Sequence, residues 1–291
     1  MEQDGEAYRV NITSQCRKRT NLTAMQIEHL KRIEISLPFV ADLAHAYLYL
    51  YVQTKEPGKM LVLKHYRPHT FFSEVELTGE GAFVSTLEEP LIAAAFAKGK
   101  FIQGQREWRF GIKLDMYVQP IKCGNDVIGV VSLETGHSYA NSSNYHQLMD
   151  TALYLLDYAK KPLDKDEFHP MSPGTGIIIA DSNNRIVFAN LSANRIYRAL
   201  GIASLVGCRM QDRELSAMLH KETIDSSRPY EREIQIRDFV LVQRDIKLEE
   251  AGMLKRRIML LSDVSELRKK EREIKIKSAV IQEIHHRVKN N

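Results

Sequence analysis

The sequence predicts an α+β fold, with two tandem domains that each contain an antiparallel sheet flanked by helices, followed by a long C-terminal helix. Two observations predict this class. β-rich runs occur in pairs around turn residues, as Met116–Lys122 and Val127–Glu134 do around Cys-Gly-Asn-Asp. Residues 264–291 contain neither Gly nor Pro and carry many charges. That stretch predicts one helix of about seven turns.

The first domain is predicted to span residues 1–160. Met25–Tyr51 is expected to be largely helix running into a strand, and Met60–His65 alternates as a strand does. Glu88–Lys98 predicts a short helix, and Tyr145–Tyr158 another. With the hairpin between them, these elements form a sheet with flanking helices.

A break in composition separates the two domains. The stretch KKPLDKDEFHPMSPGTG holds three prolines and two glycines, which interrupt regular structure. We therefore predict a linker at 161–175 and a second domain at 176–263. Its expected elements are the strands Gly176–Ala180, Arg185–Ala189, Glu231–Leu248 and Leu254–Ser262, with a helix at Leu191–Leu200.

Composition excludes several classes of protein. No stretch approaches 18 uncharged apolar residues, so no membrane span is expected, and the N-terminus lacks the features of a signal peptide. The 41 basic and 37 acidic residues are too balanced to indicate direct binding of nucleic acid or of an anionic membrane. Three cysteines, far apart, favour a reducing compartment. The expected location is the cytoplasm.

The C-terminal helix carries an incomplete heptad pattern. Leu267, Ile274, Ile281 and Val288 recur every seven residues, with Ile284 between the last two. This apolar stripe is consistent with the seam of a parallel dimer or with an amphipathic helix that caps the preceding domain. The pattern alone does not decide between these alternatives.

Helical register separates two adjacent histidines at the end of this helix. His285 lies at the edge of the apolar stripe, whereas His286 points away from it together with Glu283 and Asn290. A neutral imidazole held outward can attack a phosphoryl group that another domain presents. Glu283 could orient the ring, and Arg287 could supply positive charge for phosphate oxygens. The alternative is a solvated basic face with two incidental histidines.

A resemblance favours the chemical interpretation. Glu283–Asn291, EIHHRVKNN, resembles the phosphoacceptor box of sensor histidine kinases of the HisKA_2/HWE-like class, whose histidine is followed by Arg-Val-Lys-Asn. The resemblance implies that His286, directly before Arg287, is the phosphorylated residue. The helix would then be the start of a signalling, dimerisation and phosphotransfer domain at 264–291.

Both predicted domains also resemble known sensor modules. Asp263-Val264-Ser265-Glu266 resembles the Asp-Ile-Thr-Glu junction that follows a PAS domain, and Gly176–Gly201 resembles the start of one. Glu88–Gly136, with its Ala-Phe, Gly-Lys and Arg-Glu-Trp motifs and its final hairpin, is similar to the GAF-like domain of the same kinases. The resemblance thus implies a GAF–PAS–kinase sensor.

Kinases of this class autophosphorylate on ATP as homodimers. They pass the phosphate to an aspartate of a response regulator, often one with an RNA-binding antiterminator output domain. The resemblance implies the same partners here. The ATP-binding domain is expected to lie outside these 291 residues, so this chain alone is expected not to transfer phosphate from ATP.

Sensing implies an unknown small-molecule signal, and three aromatic residues are candidates for its pocket. Trp108, Phe110 and Tyr117 approach the final hairpin of the first domain and could line an apolar ligand cavity. Aromatic residues near a sheet also commonly belong to the core, so both interpretations stay open.

Other cofactors are not predicted. Cys208 lies in Gly-Cys-Arg-Met-Gln, which is similar to the flavin-binding motif of photosensor PAS domains, but the preceding asparagine is absent, so neither flavin nor haem is expected. His65 and His69 have ligand-like spacing, but Arg67-Pro68 prevents a helix that would place both on one face. No metal site is predicted.

Two other functions fit the same sequence. The first is a non-enzymatic GAF–PAS ligand-binding dimer that regulates another output domain. The second is a degenerate kinase that keeps the histidine box but has lost ATP binding. Both differ from a kinase in the sequence expected after Asn291.

Overall fold

The structure is a computed structural model that describes residues 11–70, 78–109, 111–136, 144–158, 164–210, 212, 223–224 and 231–290. The chain divides into two compact units, Met1–Pro173 and Gly174–Asn291. We call them unit 1 and unit 2.

Unit 1 begins with three helices, α1 (Ile12–Arg19), α2 (Ala24–Glu34) and α3 (Leu37–Ala44). A capping box begins α2, in which Thr23 Oγ1 accepts from the Gln26 backbone N–H and the Gln26 side chain accepts from the Thr23 N–H. Met25–Tyr51, predicted to be largely helix running into a strand, holds two helices that are separated at Ile35 and Ser36, because Pro38 stands in the first turn of α3 and does not continue an earlier helix.

Six strands form one antiparallel sheet in unit 1, in the order β3-β2-β1-β6-β5-β4. They are β1 (Tyr47–Gln53), β2 (Lys59–Tyr66), β3 (Phe83–Ser85), β4 (Ile102–Arg109), β5 (Ile112–Cys123) and β6 (Asp126–Gly136). The predicted hairpin is present as β5 and β6. No predicted strand corresponded to β3 or β4.

Helices cover both faces of this sheet. The helix α2 contacts β6, and α3 contacts β1, β2 and α5 (Tyr145–Tyr158). The helix α4 (Pro90–Lys98) contacts β4, β5 and β6. Pro90 begins α4 and Gly99, with φ 58°, ends it in the left-handed conformation that glycine adopts readily.

Unit 2 contains a second antiparallel sheet, in the order β8-β7-β12-β11-β10-β9. Its strands are β7 (Gly176–Ala180), β8 (Ile186–Ala189), β9 (Thr223–Ile224), β10 (Glu231–Ile236), β11 (Phe239–Glu250) and β12 (Met253–Asp263). The helix α6 (Leu191–Ala199) packs on β7, and its apolar side joins a core that includes Ile178, Tyr197 and Met259.

The strand predicted over Glu231–Leu248 is two strands. β10 and β11 form a hairpin in which Ile236 pairs with Phe239, so the chain turns at Arg237 and Asp238. Arg237 has φ 53°, in the left-handed region. Arginine has no preference for that region, so the turn carried none of the Asn-Gly or Asp-Gly signals that mark most tight hairpins.

The chain continues into α7 (Ser265–Asn290). Within the described part of the chain, no helix is long and apolar enough to cross a membrane.

Candidate functional site

Three tyrosines share one face of the unit 1 sheet. Because side chains alternate along a strand, Tyr47, Tyr49 and Tyr51 of β1 point to the same side, and each is nearly fully buried. Strand register places further side chains on this side, namely Met60, Val62, Met116, Val118, Val130, Ser132 and Glu134. We call this side the tyrosine face.

The helix α4 covers the apolar part of the tyrosine face. Ile92, Ala95 and Phe96 of α4 pack into the same hydrophobic cluster as the tyrosines. The contact is close at Gly104 of β4, where an added Cβ would lie 2.7 Å from a Leu91 methyl group. Gly104 therefore lets α4 approach the sheet.

A buried group of charges lies beside the tyrosines. Arg106 of β4 donates from Nη1 to Oε1 of Glu89 over 2.5 Å and from Nη2 to Oε2 of Glu134 over 2.6 Å. Ser132 Oγ donates to the other Glu134 oxygen over 2.9 Å. Glu134 is only 1% exposed. We call Arg106, Glu89 and Glu134 the Arg106 cluster.

Burial is the largest cause of the pKa shifts of the two carboxylates in this cluster. It raises the pKa of Glu134 to about 7, although the attraction of Arg106 and the Ser132 hydrogen bond both lower it. Burial likewise raises the pKa of Glu89. Glu134 therefore titrates near neutral pH.

Three buried polar atoms around this face have no hydrogen-bond partner among the described residues. They are the Tyr47 hydroxyl oxygen, Arg106 Nε and His65 Nδ1. Tyr47 pairs across the strands with Glu134. The imidazole of His65 lies beside Tyr49, with ring centroids 6.3 Å apart. The tyrosine face thus combines buried apolar side chains with three polar atoms that have no partner among the described residues.

Of the three aromatic residues predicted to line a pocket, Tyr117 does not lie on the tyrosine face, and the side chains of Trp108 and Phe110 are outside the described residues. Tyr117 of β5 pairs with Leu133, which places it on the opposite side of the sheet from Met116 and Val118. Trp108 belongs to β4, but its side chain is outside the described residues, as is all of Phe110. The sequence signal for the tyrosine face was the period-two run Tyr-Leu-Tyr-Leu-Tyr at 47–51.

The second candidate site is the C-terminal part of α7. His285 and His286 are both exposed, as is Asn290. Glu283 Oε1 accepts from Arg287 Nε over 2.9 Å, one helical turn away, and both side chains are more than half exposed. The structure therefore pairs Glu283 with Arg287 along the helix, and the side chain of His286 is exposed.

The apolar stripe on α7 is exposed along its whole length. Leu267 is 54% exposed, Ile274 63%, Ile281 55% and Val288 70%. Exposed apolar side chains in such a continuous row are typical of a surface that binds a partner.

The base of α7 is fixed to the unit 2 sheet. Arg268 Nε donates to both carboxylate oxygens of Glu233 in β10, over 3.0 and 3.2 Å. Ser265 Oγ accepts from the Val240 backbone N–H over 2.8 Å. A movement of β10 or β11 would therefore reach the start of the helix directly.

The other sequence candidates show no ligand-binding arrangement. Among the described residues, no group of three or more His, Cys, Asp or Glu could hold a metal ion. The His69 imidazole and backbone N–H both contact the buried carboxylate of Asp42. Cys208 is a free thiol whose Sγ lies 3.5 Å from the Ser204 carbonyl oxygen.

The sequence was compared with those of known proteins and families, and it is similar to one group of kinases. Residues 12–152 match the family model of the GAF domain of histidine kinase PdtaS. The chain is 22% identical over 299 residues to the sensor histidine kinase PdtaS of Mycolicibacterium smegmatis, and 24% identical over 302 residues to that of Mycobacterium tuberculosis. Each alignment covers 94% of this chain, which spans about 60% of the length of these curated relatives.

One solved structure shares the fold. It is described as the sensor region of a sensor histidine kinase, has a TM-score of 0.59 and is 18% identical, and the match covers 89% of this chain and 99% of that one. The predicted GAF-like character of the first domain is confirmed by the family match, and the chain is similar in sequence to PdtaS-type sensor histidine kinases.

Proposed function

We propose that this chain is the sensory and phosphoacceptor region of a two-component sensor histidine kinase. One observation carries the proposal: His286 is exposed on α7 directly before Arg287, in a chain whose residues 12–152 match the PdtaS GAF model. Catalysis would require an ATP-binding domain that presents the γ-phosphate to His286. The proposed location of the protein is the cytoplasm, as expected from the sequence.

His286 would be the nucleophile of the autophosphorylation step. Its neutral imidazole attacks the γ-phosphorus of ATP, ADP leaves, and the ring nitrogen holds the phosphoryl group until it passes to an aspartate of a response regulator. Arg287 stands one residue away, and its ion pair with Glu283 keeps the guanidinium close to the helix. Both can interact with the imidazolium and phosphate charges that develop. Asn290, one turn after His286, adds a polar side chain.

Unit 1 would supply the signal. The tyrosine face combines buried polar atoms with aromatic surface, which suits a small-molecule ligand. Unit 2 would act as a PAS domain, and the Arg268–Glu233 contact would pass its state to α7. A homodimer formed along α7 would bring two phosphoacceptor helices together. The output partner would be a response regulator, with an RNA-binding antiterminator as one candidate class.

Phosphorylation of single-histidine variants tests this function. In a protein that carries this chain together with an ATP-binding domain, labelled ATP should yield acid-labile phosphate on the wild type. His286→Gln should abolish the label, because glutamine cannot form a phosphoramidate. His285→Gln is the matched control and should keep a measurable fraction. Glu283→Gln should slow labelling, by about 10²-fold if the carboxylate assists proton transfer.

Two outcomes would contradict the proposal. If the label survives His286→Gln and disappears in His285→Gln, then His285 is the phosphorylated residue and the assignment to His286 is wrong. No label on either histidine, in a protein whose ATP-binding domain binds nucleotide, would favour the non-enzymatic ligand-binding alternative.

A further inference from the structure

A cavity of about 660 Å³ lies in unit 1. It is bounded by α2, the start of α3, the end of β2 and residues 165–170. Lys64 of β2 lines it and pairs with Leu50 of β1 in the strand register. Because Leu50 alternates along β1 with Tyr49 and Tyr51, the cavity is on the side of the sheet opposite the tyrosine face. Its volume is in the usual range of small-molecule sites.

A buried lysine forms part of the cavity wall. Lys64 is 4% exposed, and its Nζ lies 3.3 Å from Glu80 Oε2 and 3.4 Å from Glu34 Oε1. Hydrogen bonds between an ammonium and a carboxylate are usually about 2.7–2.9 Å long. An ammonium group also has three hydrogens to donate. The two carboxylates therefore bind Lys64 only at long range, and its Nζ keeps the capacity to donate to a third acceptor.

The other charges of the lining favour an anion as that acceptor. Glu28 and Lys31 line the cavity and pair with each other over 3.0 Å. Arg32 of α2 and Lys165 also line it, both exposed, and within the described part of the chain neither makes an ion pair. The lining thus holds four basic and three acidic side chains, and each acidic one already faces a lysine. A single negative charge balances this lining, whereas a cation is repelled by the unpaired Arg32 and Lys165.

The apolar part of the lining has a fixed wall. It consists of Ile35, Pro38, Phe168 and Pro170, together with the ring of Tyr66. The ring of Phe168 packs edge-on against Phe39 of α3, with centroids 5.5 Å apart. Nearby, the backbone N–H of Met171 donates to the buried Asp42 carboxylate over 2.7 Å. These contacts shape the wall without a ligand, which lowers the cost of ordering it on binding.

We propose that this cavity binds a small organic acid with one carboxylate and an apolar body. The carboxylate pairs with Arg32 and Lys165 and accepts a hydrogen bond from Lys64. The apolar body packs against Pro38 and Phe168. This inference goes beyond the proposed function, because it assigns unit 1 a ligand site that is separate from the tyrosine face.

Three probes with the same ring test the charge of the ligand. Cyclohexanecarboxylate, cyclohexanecarboxamide and cyclohexylmethylammonium differ mainly in the charge of one substituent. Titration of the 291-residue chain, followed by ligand-observed NMR, should give a dissociation constant on the order of millimolar for the carboxylate, as expected for so small a ligand. The amide should bind about three- to tenfold more weakly because it forms no ion pair, and the ammonium more weakly still. Raising the salt concentration to about 0.5 M should weaken binding of the carboxylate and leave that of the amide unchanged.

Two charge-removing variants locate the site. Arg32→Gln and Lys165→Gln should each weaken carboxylate binding by about two- to fivefold, the usual contribution of one partly exposed ion pair. Both side chains are exposed, so the thermal midpoint should not change. Arg17→Gln is the matched control, because Arg17 is an exposed cation of α1 that does not line the cavity, and it should leave the affinity unchanged.

Three results would overturn this inference. The first is an amide or ammonium probe that binds as tightly as the carboxylate. The second is equal affinity in the wild type and both cavity variants, or an equal loss in Arg17→Gln. The third is no carboxylate binding at about 10 mM, well above the expected dissociation constant. Labelling of His286 is a separate measurement, so failure of the probes with intact labelling leaves the kinase proposal standing, and binding without labelling leaves the cavity assignment standing.

Discussion

At the scale of single residues, Glu134 shows how a buried charge is accommodated. Its carboxylate receives hydrogen bonds from Arg106 and Ser132, which offset part of the cost of leaving water. The pKa is nevertheless raised to about 7, with burial as the largest cause. The folded protein therefore keeps a proton on Glu134 at pH values where the unfolded chain has lost it.

This proton gives a testable pH dependence. Because the pKa of Glu134 rises from 4.5 to about 7 on folding, its contribution is fully present below pH 4.5 and is lost as the pH rises toward 7. The free energy of unfolding should fall across this window by up to about 3 kcal/mol from this group. The glutamine side chain in Glu134→Gln is uncharged at every pH in this window. The free energy of unfolding of the variant, measured with denaturant, should therefore fall less with rising pH than that of the wild type.

The control is an exposed carboxylate. Glu56→Gln changes a side chain that is 65% exposed and paired with Lys59, and its pH curve should run parallel to the wild type. Asp42, whose pKa burial also raises, is present in all three proteins and lies outside the Arg106 cluster, so its contribution cancels in the comparison. Parallel curves for Glu134→Gln and the wild type would show that Glu134 does not titrate in this window.

At the scale of elements, α7 has no core of its own. It is a single helix with no buried residue, held to unit 2 by Arg268, Ser265 and the backbone contacts at its start. Isolated helices depend on tertiary packing for most of their stability, and an exposed apolar stripe offers such packing to a second copy. The exposed stripe therefore favours a dimer over a capping helix.

Dimerisation can be tested by one charge on the stripe. Ile281→Asp places a carboxylate in the expected seam, so light scattering should show a dimer for the wild type and a larger monomer fraction for the variant. Ala279→Asp is the matched control, because Ala279 lies on the opposite side of α7 in the helical register. A wild type that stays monomeric at tens of micromolar, or equal effects of both variants, would contradict the dimer.

At the scale of the whole molecule, two cores support two units. Unit 1 packs helices on both faces of its sheet, and unit 2 builds a separate cluster around Ile178, Tyr197 and Met259. The predicted domain limits, 1–160 and 176–263, stay predictions. The observed division between Pro173 and Gly174 falls inside the predicted linker at 161–175.

A core substitution in one unit should leave the other unit stable. Ile178 is 1% exposed, and Ile178→Ala should lower the stability of unit 2 by about 2–5 kcal/mol. The chain has one tryptophan, Trp108, which belongs to β4 of unit 1, so tryptophan fluorescence serves as the probe for the unfolding of that unit. In denaturant, the variant should show an earlier circular dichroism transition and an unchanged fluorescence transition. A fluorescence midpoint that moves equally would show that the two units unfold as one.

The sequence by itself determined the local patterns of this protein. Alternating apolar residues specified most strands, a Gly- and Pro-free stretch specified α7, and the EIHHRVKNN string placed His286 beside Arg287. These features depend on neighbours within a few residues, where helix and strand periodicity already fixes which side chains share a face. The similarity of residues 12–152 to the PdtaS GAF model is likewise a property of the sequence.

Only the tertiary structure decided which distant residues meet. The carboxylate of Asp42 accepts a hydrogen bond from the backbone N–H of His69. It also accepts one, over 2.7 Å, from the backbone N–H of Met171, which lies 129 residues further along the chain than Asp42. Likewise, Arg106 of β4 reaches Glu134 of β6, two strands away, and Glu89, which directly precedes the start of α4. The Arg106–Glu134 contact follows from strand order and register, which local periodicity does not encode, and a shift of one residue would turn either side chain to the other face.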